Sequence, residues 1–316
     1  NWTDYQAIGP TLGQEAYQRA FIAETSGLDV SLANMQAVKN AYSAKCHVAA
    51  LCFCCWGDPG SGNASYLLAN RGQIKVDISD SDDYSHMMEN RLIFRAPPTR
   101  TLGGKSFMAG HSVYYPKPFV PPFSPLSRNQ DGCWGLMLEK LHPESRILYS
   151  DLAVRHDPIV AKVSNSERAI EWYLGLNETL SLLAGFLDST SKPSHDQIIC
   201  MGKDLEAFST GSIHFIRETL SDLVLQSILG KKRLLLSSLQ EFGEQPEWWA
   251  EDVYASIHHL DRYIGEASFW LPKEYRESEK DFIAYCRQFG LLLQTWPEIY
   301  ELSEKYGPDM LARSKL

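Results

Sequence analysis

The residues best able to do chemistry in this chain stand in one run, Pro121-Pro122-Phe123-Ser124-Pro125-Leu126-Ser127-Arg128-Asn129-Gln130-Asp131-Gly132. Prolines preset φ and remove backbone donors, so the approach is predicted to be an ordered loop. It delivers a cation, an amide and a carboxylate to one short turn. A guanidinium such as Arg128 suits a phosphate or carboxylate. Asp131 can accept a proton from a hydroxyl or orient it. The same letters also fit a plainer role, an Asp-Gly turn capping the helix that begins near the apolar stretch Cys133 to Leu138, with Arg128 as a surface partner.

Two further places carry suitable residue types. The turn Gly57-Asp58-Pro59-Gly60-Ser61-Gly62-Asn63 follows an apolar strand. Its glycines let backbone amides approach a ligand, including a phosphate, which makes Gly57, Asp58 and Gly60 candidate binding residues. It matches neither a Walker A loop nor GxGxxG, and an ordinary turn is the alternative. His156 follows a predicted strand and precedes Asp157-Pro158. A neutral imidazole there can ligate a metal or act as a base, and a hydrogen-bonded loop histidine is the alternative. His258 and His259 are helical neighbours about 100° apart and are read as structural. No Gly-x-Ser-x-Gly elbow is present. Cys133 is the one candidate thiol nucleophile, and its apolar neighbours point to burial.

The elements that must position these residues fall into two halves. Residues 1–160 alternate helix and strand signals, which predicts an α/β region. His47 to Trp56 reads as a buried strand stopped by the glycine turn. Tyr66 to Leu68 reads as a paired strand or loop, Met35 to Tyr42 and Asp80 to Asn90 as short helices, and Leu92 to Phe94 and Ile147 to Val154 as strands. Residues 161–316 read as helical. Ser164 and Glu167 form a capping-box pattern, after which Ile170, Tyr173, Leu176, Leu180, Leu183 and Leu187 recur at helical spacing. Ile213 to Leu229 is a helix closed by Gly230, and Leu234 to Phe242 continues in register. Pro246 opens a helix with Trp249, Val253, Ile257, Leu260 and Ile264 on its apolar face. Phe282 to Trp296 is a helix cut by Pro297, followed by a short one from Glu298 to Tyr306.

The 316 residues suffice for about two domains. A hydrophobic share of 44% can fill a real core. A net charge of −9 argues against a nucleic-acid partner, which needs a basic face, although it leaves room for a local basic pocket. The longest strongly apolar run, Val48 to Trp56, is too short to cross a bilayer. The polar start Asn1-Trp2-Thr3 lacks a signal-peptide pattern. Seven cysteines, none in paired CxxC motifs, fit a reducing cytoplasmic setting better than a disulfide framework or a structural zinc site. The Asn-x-Ser/Thr triplets at Asn1, Asn63 and Asn177 are then chance matches.

In this order the pieces resemble a group of bacterial glycosyltransferase-like proteins with a GT-A-type catalytic region. The group shows a strand and a glycine turn, here Trp56-Gly57-Asp58-Pro59-Gly60. An Arg-x-x-x-Arg-Ala-Pro-like run follows, here Arg91 to Pro97. Then comes a Pro-Pro-Phe-x-Pro-x-x-Arg-Asn-x-Asp-Gly block, met in full from Pro121 to Gly132. A strand ending in His-x-Pro closes it, here Leu152 to Pro158. The resemblance covers about residues 45–160. It implies transfer of a sugar from a nucleotide-sugar donor to a hydroxyl acceptor. Asp131 would then be the catalytic base, and Arg128 and Asn129 would hold substrate. His156 would be the late histidine completing a divalent-cation site, for Mn²⁺ or Mg²⁺, that neutralises the departing diphosphate.

The chain also departs from that pattern. Residues 1–45 contain no Asp-x-Asp motif, and Asp80-Ser81-Asp82-Asp83, which matches in letters, follows the glycine turn and reads as a solvated acidic loop. Gly110-His111-Ser112-Val113 stands where the group has a Gly-Leu-Asp-Asn-Arg-like segment. The expectation is therefore a GT-A-like α/β region with a mixed sheet over residues 1–160, partial or with a degenerate donor half, and a helical accessory domain over 161–316. The competing expectation is a non-catalytic descendant whose helical domain binds a partner protein or a second copy.

Overall fold

A run as apolar as His47–Gly57 must satisfy its backbone in a ladder, and it does so as the central strand β1. The computed structural model describes residues 47–57, 65–68, 81–90, 93–95, 101–103, 112–114, 119–143, 145–156, 170–186 and 194–313. β1 pairs in parallel with β5 (Ser145–His156), with register shifts after Val48 and Cys52. The short strands β2 (Ile93–Arg95) and β4 (Ser112–Tyr114) pair antiparallel with the C-terminal and N-terminal ends of β1, and β3 (Thr101–Gly103) pairs antiparallel with β5. The result is a five-stranded mixed sheet. Helices α1 (Ser65–Leu68) and α2 (Ser81–Asn90) precede β2.

Parallel neighbours need a crossover connection. Here its last element is α3 (Gln130–Leu141), which ends just before β5 begins. One side of α3 places Trp134 and Leu138 against Ala50, Cys52 and Ile147 of the sheet. The adjacent stripe places Cys133, Met137 and Leu141 in a second core, with α4 (Leu176–Phe186), α5 (Ser194–Thr210) and α8 (Glu279–Arg313). A third cluster joins α1 and α2 to α6 (Ile213–Phe242) and α7 (Glu247–Ile264). It is tied by Trp249 Nε1 donating to the Leu67 carbonyl at 2.9 Å and by Tyr84 donating to Asp252 at 2.8 Å.

From residue 170 onward the described residues form helices and their connections, as the periodicity predicts, but several boundaries differ. The stretch 171–175 is not helical, so Ile170 and Tyr173 do not share a helix with Leu176. Side chains of α7 take its backbone groups instead. Ser256 donates to the Ile170 carbonyl, His259 binds the Trp172 carbonyl and the Tyr263 hydroxyl accepts from Leu174 N–H. Arg276 lies over the rings of Tyr173 and Tyr263 at 4.8 and 5.0 Å and pairs with Glu266. Gly230 does not close α6, because buried Ile228 and Leu235 on either side hold one continuous helix, and that packing outweighs the roughly 1 kcal/mol propensity cost of glycine. Pro297 does not stop α8 either. Trp296 is fastened to the Val120 carbonyl at 2.7 Å, and the helix runs on to Arg313. Tyr66 to Leu68 is helix rather than strand. Asp82 sits exposed in the first turn of α2 rather than in a loop, where an acidic group suits the helix dipole. The expected helix at Met35 to Tyr42 and the capping box at Ser164 lie outside the described residues.

Helices α5 and α8 cross at Gly202 and Gly290. A Cβ added at Gly202 would stand 2.5 Å from the Gly290 carbonyl oxygen, and one at Gly290 would stand 2.8 Å from that of Gly202. Rigid backbone on both sides leaves no side chain to yield. Gly202→Ala and Gly290→Ala should each destabilise by about 1–3 kcal/mol. Gly230→Ala, with open space around it, should stabilise by up to about 1 kcal/mol. Urea denaturation of the three variants checks the opposite signs.

Candidate functional site

The proline run reaches the start of α3 as a strap held on both sides. Prolines leave carbonyl acceptors without partner donors, and two indoles supply donors without acceptors. Trp134 Nε1 donates to the Pro121 carbonyl at 2.9 Å and Trp296 Nε1 to that of Val120. Phe123 stacks on Trp134 with ring centroids 5.3 Å apart. Ser124, fully buried, shares a 2.7 Å hydrogen bond with the Tyr285 hydroxyl.

The turn that follows is unusual in its backbone. Ser127 and Asn129 both adopt left-handed φ, 67° and 62°. Such residues are held in place by their surroundings. The buried Asn177 of α4 donates from Nδ2 to the carbonyls of Leu126 at 2.9 Å and Arg128 at 2.7 Å. Asn129 is the N-cap residue of α3 by position, but its side chain caps no helical amide. Its Nδ2 donates to Glu178 Oε1 at 2.9 Å. Its Oδ1 lies 2.4 Å from where a Cβ on Gly132 would stand, so a larger residue there would push the Asn129 side chain from its place. Asp131 stands half-buried in the first turn of α3, where a carboxylate suits the helix dipole, and its Oδ1 accepts from Gly132 N–H at 3.1 Å. Arg128 is exposed.

Gly57 and His156 are partners in register at the carboxyl ends of the parallel strands β1 and β5. That sheet end is where open α/β sheets bind ligands. Because α3 returns antiparallel to β5, its N-terminus with Arg128, Asn129 and Asp131 points toward the same end. Asp58 and Gly60 lie outside the described residues. Among the described residues no group of three or more His, Cys, Asp and Glu side chains is placed to hold a metal, and one imidazole does not make a cation site.

Sequence reasoning missed the polar groups that the helical region adds at the turn. Glu274 accepts from Ser127 Oγ with one oxygen and from Leu176 N–H at 3.0 Å with the other. Burial pushes the Glu178 carboxyl up, against the lowering effect of the Asn129 amide, and the neighbouring Glu274 charge adds to the rise. Lys231 of α6 lies 4.8 Å from the Trp172 ring centroid, and burial lowers it to about 8, opposed by the charge of Glu178. The signal in the sequence was only the Asn177-Glu178-Thr179 triplet, and full burial of Asn177 removes it as a surface glycan acceptor. Cys133 is 1% exposed and pushed up to about 12 by burial, so it stays a thiol. His259 is structural, as expected.

Comparison with family models, with curated proteins and with solved structures finds no match to this chain. No helix among the described residues is long and apolar enough to cross a membrane.

Lys231 gives a pH signature. Folding lowers its proton affinity, so the unfolded chain binds the extra proton between about pH 8 and the ordinary value of 10.5. Its contribution to stability therefore rises with pH across that window and is least favourable below it. In Lys231→Met the rise should be absent. Chemical denaturation of both proteins from pH 7 to 10.5 isolates it as a difference, since other titrating groups are common to the pair.

Proposed function

We propose that this chain is part or all of a cytoplasmic glycosyltransferase with a GT-A-like catalytic region, moving a sugar from a nucleotide-sugar donor to a hydroxyl acceptor. One observation carries the reading. The parallel pair β1–β5 ends with Gly57 and His156 side by side, and the crossover helix α3 brings Asp131 to the same end of the sheet.

In this reading Asp131 accepts the acceptor hydroxyl proton as its oxygen attacks the anomeric carbon, and the bond from that carbon to the diphosphate oxygen breaks. The exposed guanidinium of Arg128 binds the diphosphate, whose negative charge grows as it leaves. Asn129 shapes the turn between them. The glycine turn Gly57-Asp58-Pro59-Gly60 offers backbone amides to the donor. As the resemblance implies, a divalent cation held in part by His156 would neutralise the departing diphosphate.

A specific observation also favours the second reading, a non-catalytic scaffold whose helical part binds a partner protein or a second copy. The turn's side-chain amide and two of its carbonyls are spent on α4. A thermal-shift screen against nucleotide-sugars and free nucleotides, with and without Mn²⁺, separates the two. A stabilisation confined to one nucleotide class supports transfer. A flat response from folded protein supports the scaffold. Asp131→Asn should reduce transfer by at least about 10²-fold with an unchanged melting temperature, and unchanged turnover would remove Asp131 from the chemistry. His156→Ala should weaken any Mn²⁺ dependence, and an identical Mn²⁺ titration would sink the ligand role.

A further inference from the structure

The residues that reach the Asp131 turn from the helical region belong to one short stretch. Asn177 and Glu178 are neighbours at the start of α4. Asn177 is fully buried, and its single Nδ2 serves the carbonyls of Leu126 and Arg128. Those carbonyls converge on one nitrogen because Ser127 between them is left-handed. Only a group with two N–H bonds on one atom can satisfy both. A carboxylate of the same shape would place oxygen against oxygen. Glu178 then takes the side chain of Asn129, the second left-handed residue. Glu274 completes the fastening by binding Ser127 and the first amide of α4 together.

We propose that Asn177 and Glu178 are positioning residues: from the helical region they set the left-handed turn Leu126–Gly132, and thereby the placement of Asp131. The role in positioning a base rests on the glycosyltransferase reading; the setting of the turn does not. On this view the helical region is a working half of the site, and a ligand, partner or substitution acting on the start of α4 is felt at Asp131.

Hydrogen exchange of the full chain, followed by mass spectrometry of peptides covering 126–133, tests the setting of the turn. The reporter is the Cys133 amide, which closes α3 on the Asn129 carbonyl at 3.3 Å. Asn177→Asp should speed exchange there by about tenfold or more, the equilibrium equivalent of losing a hydrogen bond, while α7 peptides keep their rates. Should that variant fail to fold, Glu178→Ala removes only the outer contact and should speed exchange several-fold, with Glu178→Gln restoring protection because its amide oxygen still accepts. Unchanged exchange in folded Asn177→Asp, or in Glu178→Ala, overturns the proposal. Where transfer is measurable, kcat should fall with the exchange change, and Glu178→Gln should restore it. An intact kcat in a variant with a loosened turn overturns the positioning role. Faster exchange in a protein whose wild type transfers no sugar upholds the setting of the turn and overturns the glycosyltransferase reading instead.

Discussion

Helix α3 buries Trp134 and Leu138 against the sheet and Cys133, Met137 and Leu141 among the helices, so adjacent stripes of one short helix belong to two cores. Most helices of a globular protein have a polar face to show to water. This one shows little, because both neighbours cover it. The sheet, the proline strap and the helical region are therefore energetically one object at this point. The candidate base sits on the first turn of that helix, where displacement of either neighbour would reach it.

The strap adds a polar lock to the apolar one. A buried carbonyl without a partner costs about 1–3 kcal/mol, and a proline-rich segment has carbonyls in excess of donors. The fold meets this with indole N–H groups from α3 and α8 and the amide of Asn177, each a donor placed where a backbone donor is missing. The prolines reduce the entropy lost on ordering the strap, and the side-chain donors make its ordered state specific. The left-handed residues Ser127 and Asn129 follow from the same arrangement, because the chain must curl tightly to turn its carbonyls toward α4 and still begin α3.

Around this lock the helical region gathers Glu178 and Lys231 in partly buried positions, with the exposed Glu274 beside Glu178. Burial disfavours charge on Glu178 and on Lys231, while the Glu178 charge favours the charged form of Lys231 and Lys273 favours that of Glu178. Water exclusion and ion attraction thus oppose each other there, and the balance moves the titration of Glu178 up and of Lys231 down, toward neutral pH.

The sequence by itself determined the local elements whose signals are strong at short range. The apolar run of β1 and the end of β5 could be read directly, as could the apolar face of α7 and the burial of Cys133. The block from Pro121 to Gly132 could be read as an ordered approach to a helix start. Its letters left open whether Asn129 and Asp131 serve chemistry, structure or both, because a cap and a ligand contact ask for the same residue types. Tertiary structure decided the rest. It carried α6 through Gly230 and α8 through Pro297, since packing outweighs a local propensity cost of this size. It denied a helix to 171–175, because α7 binds those backbone groups from outside. It also brought Asn177, Glu178 and Glu274 to the turn, contacts that lie 49 to 147 residues apart in the chain. No spacing rule reaches that far, for such contacts are fixed by which helix faces are buried together and not by the order of the residues that make them.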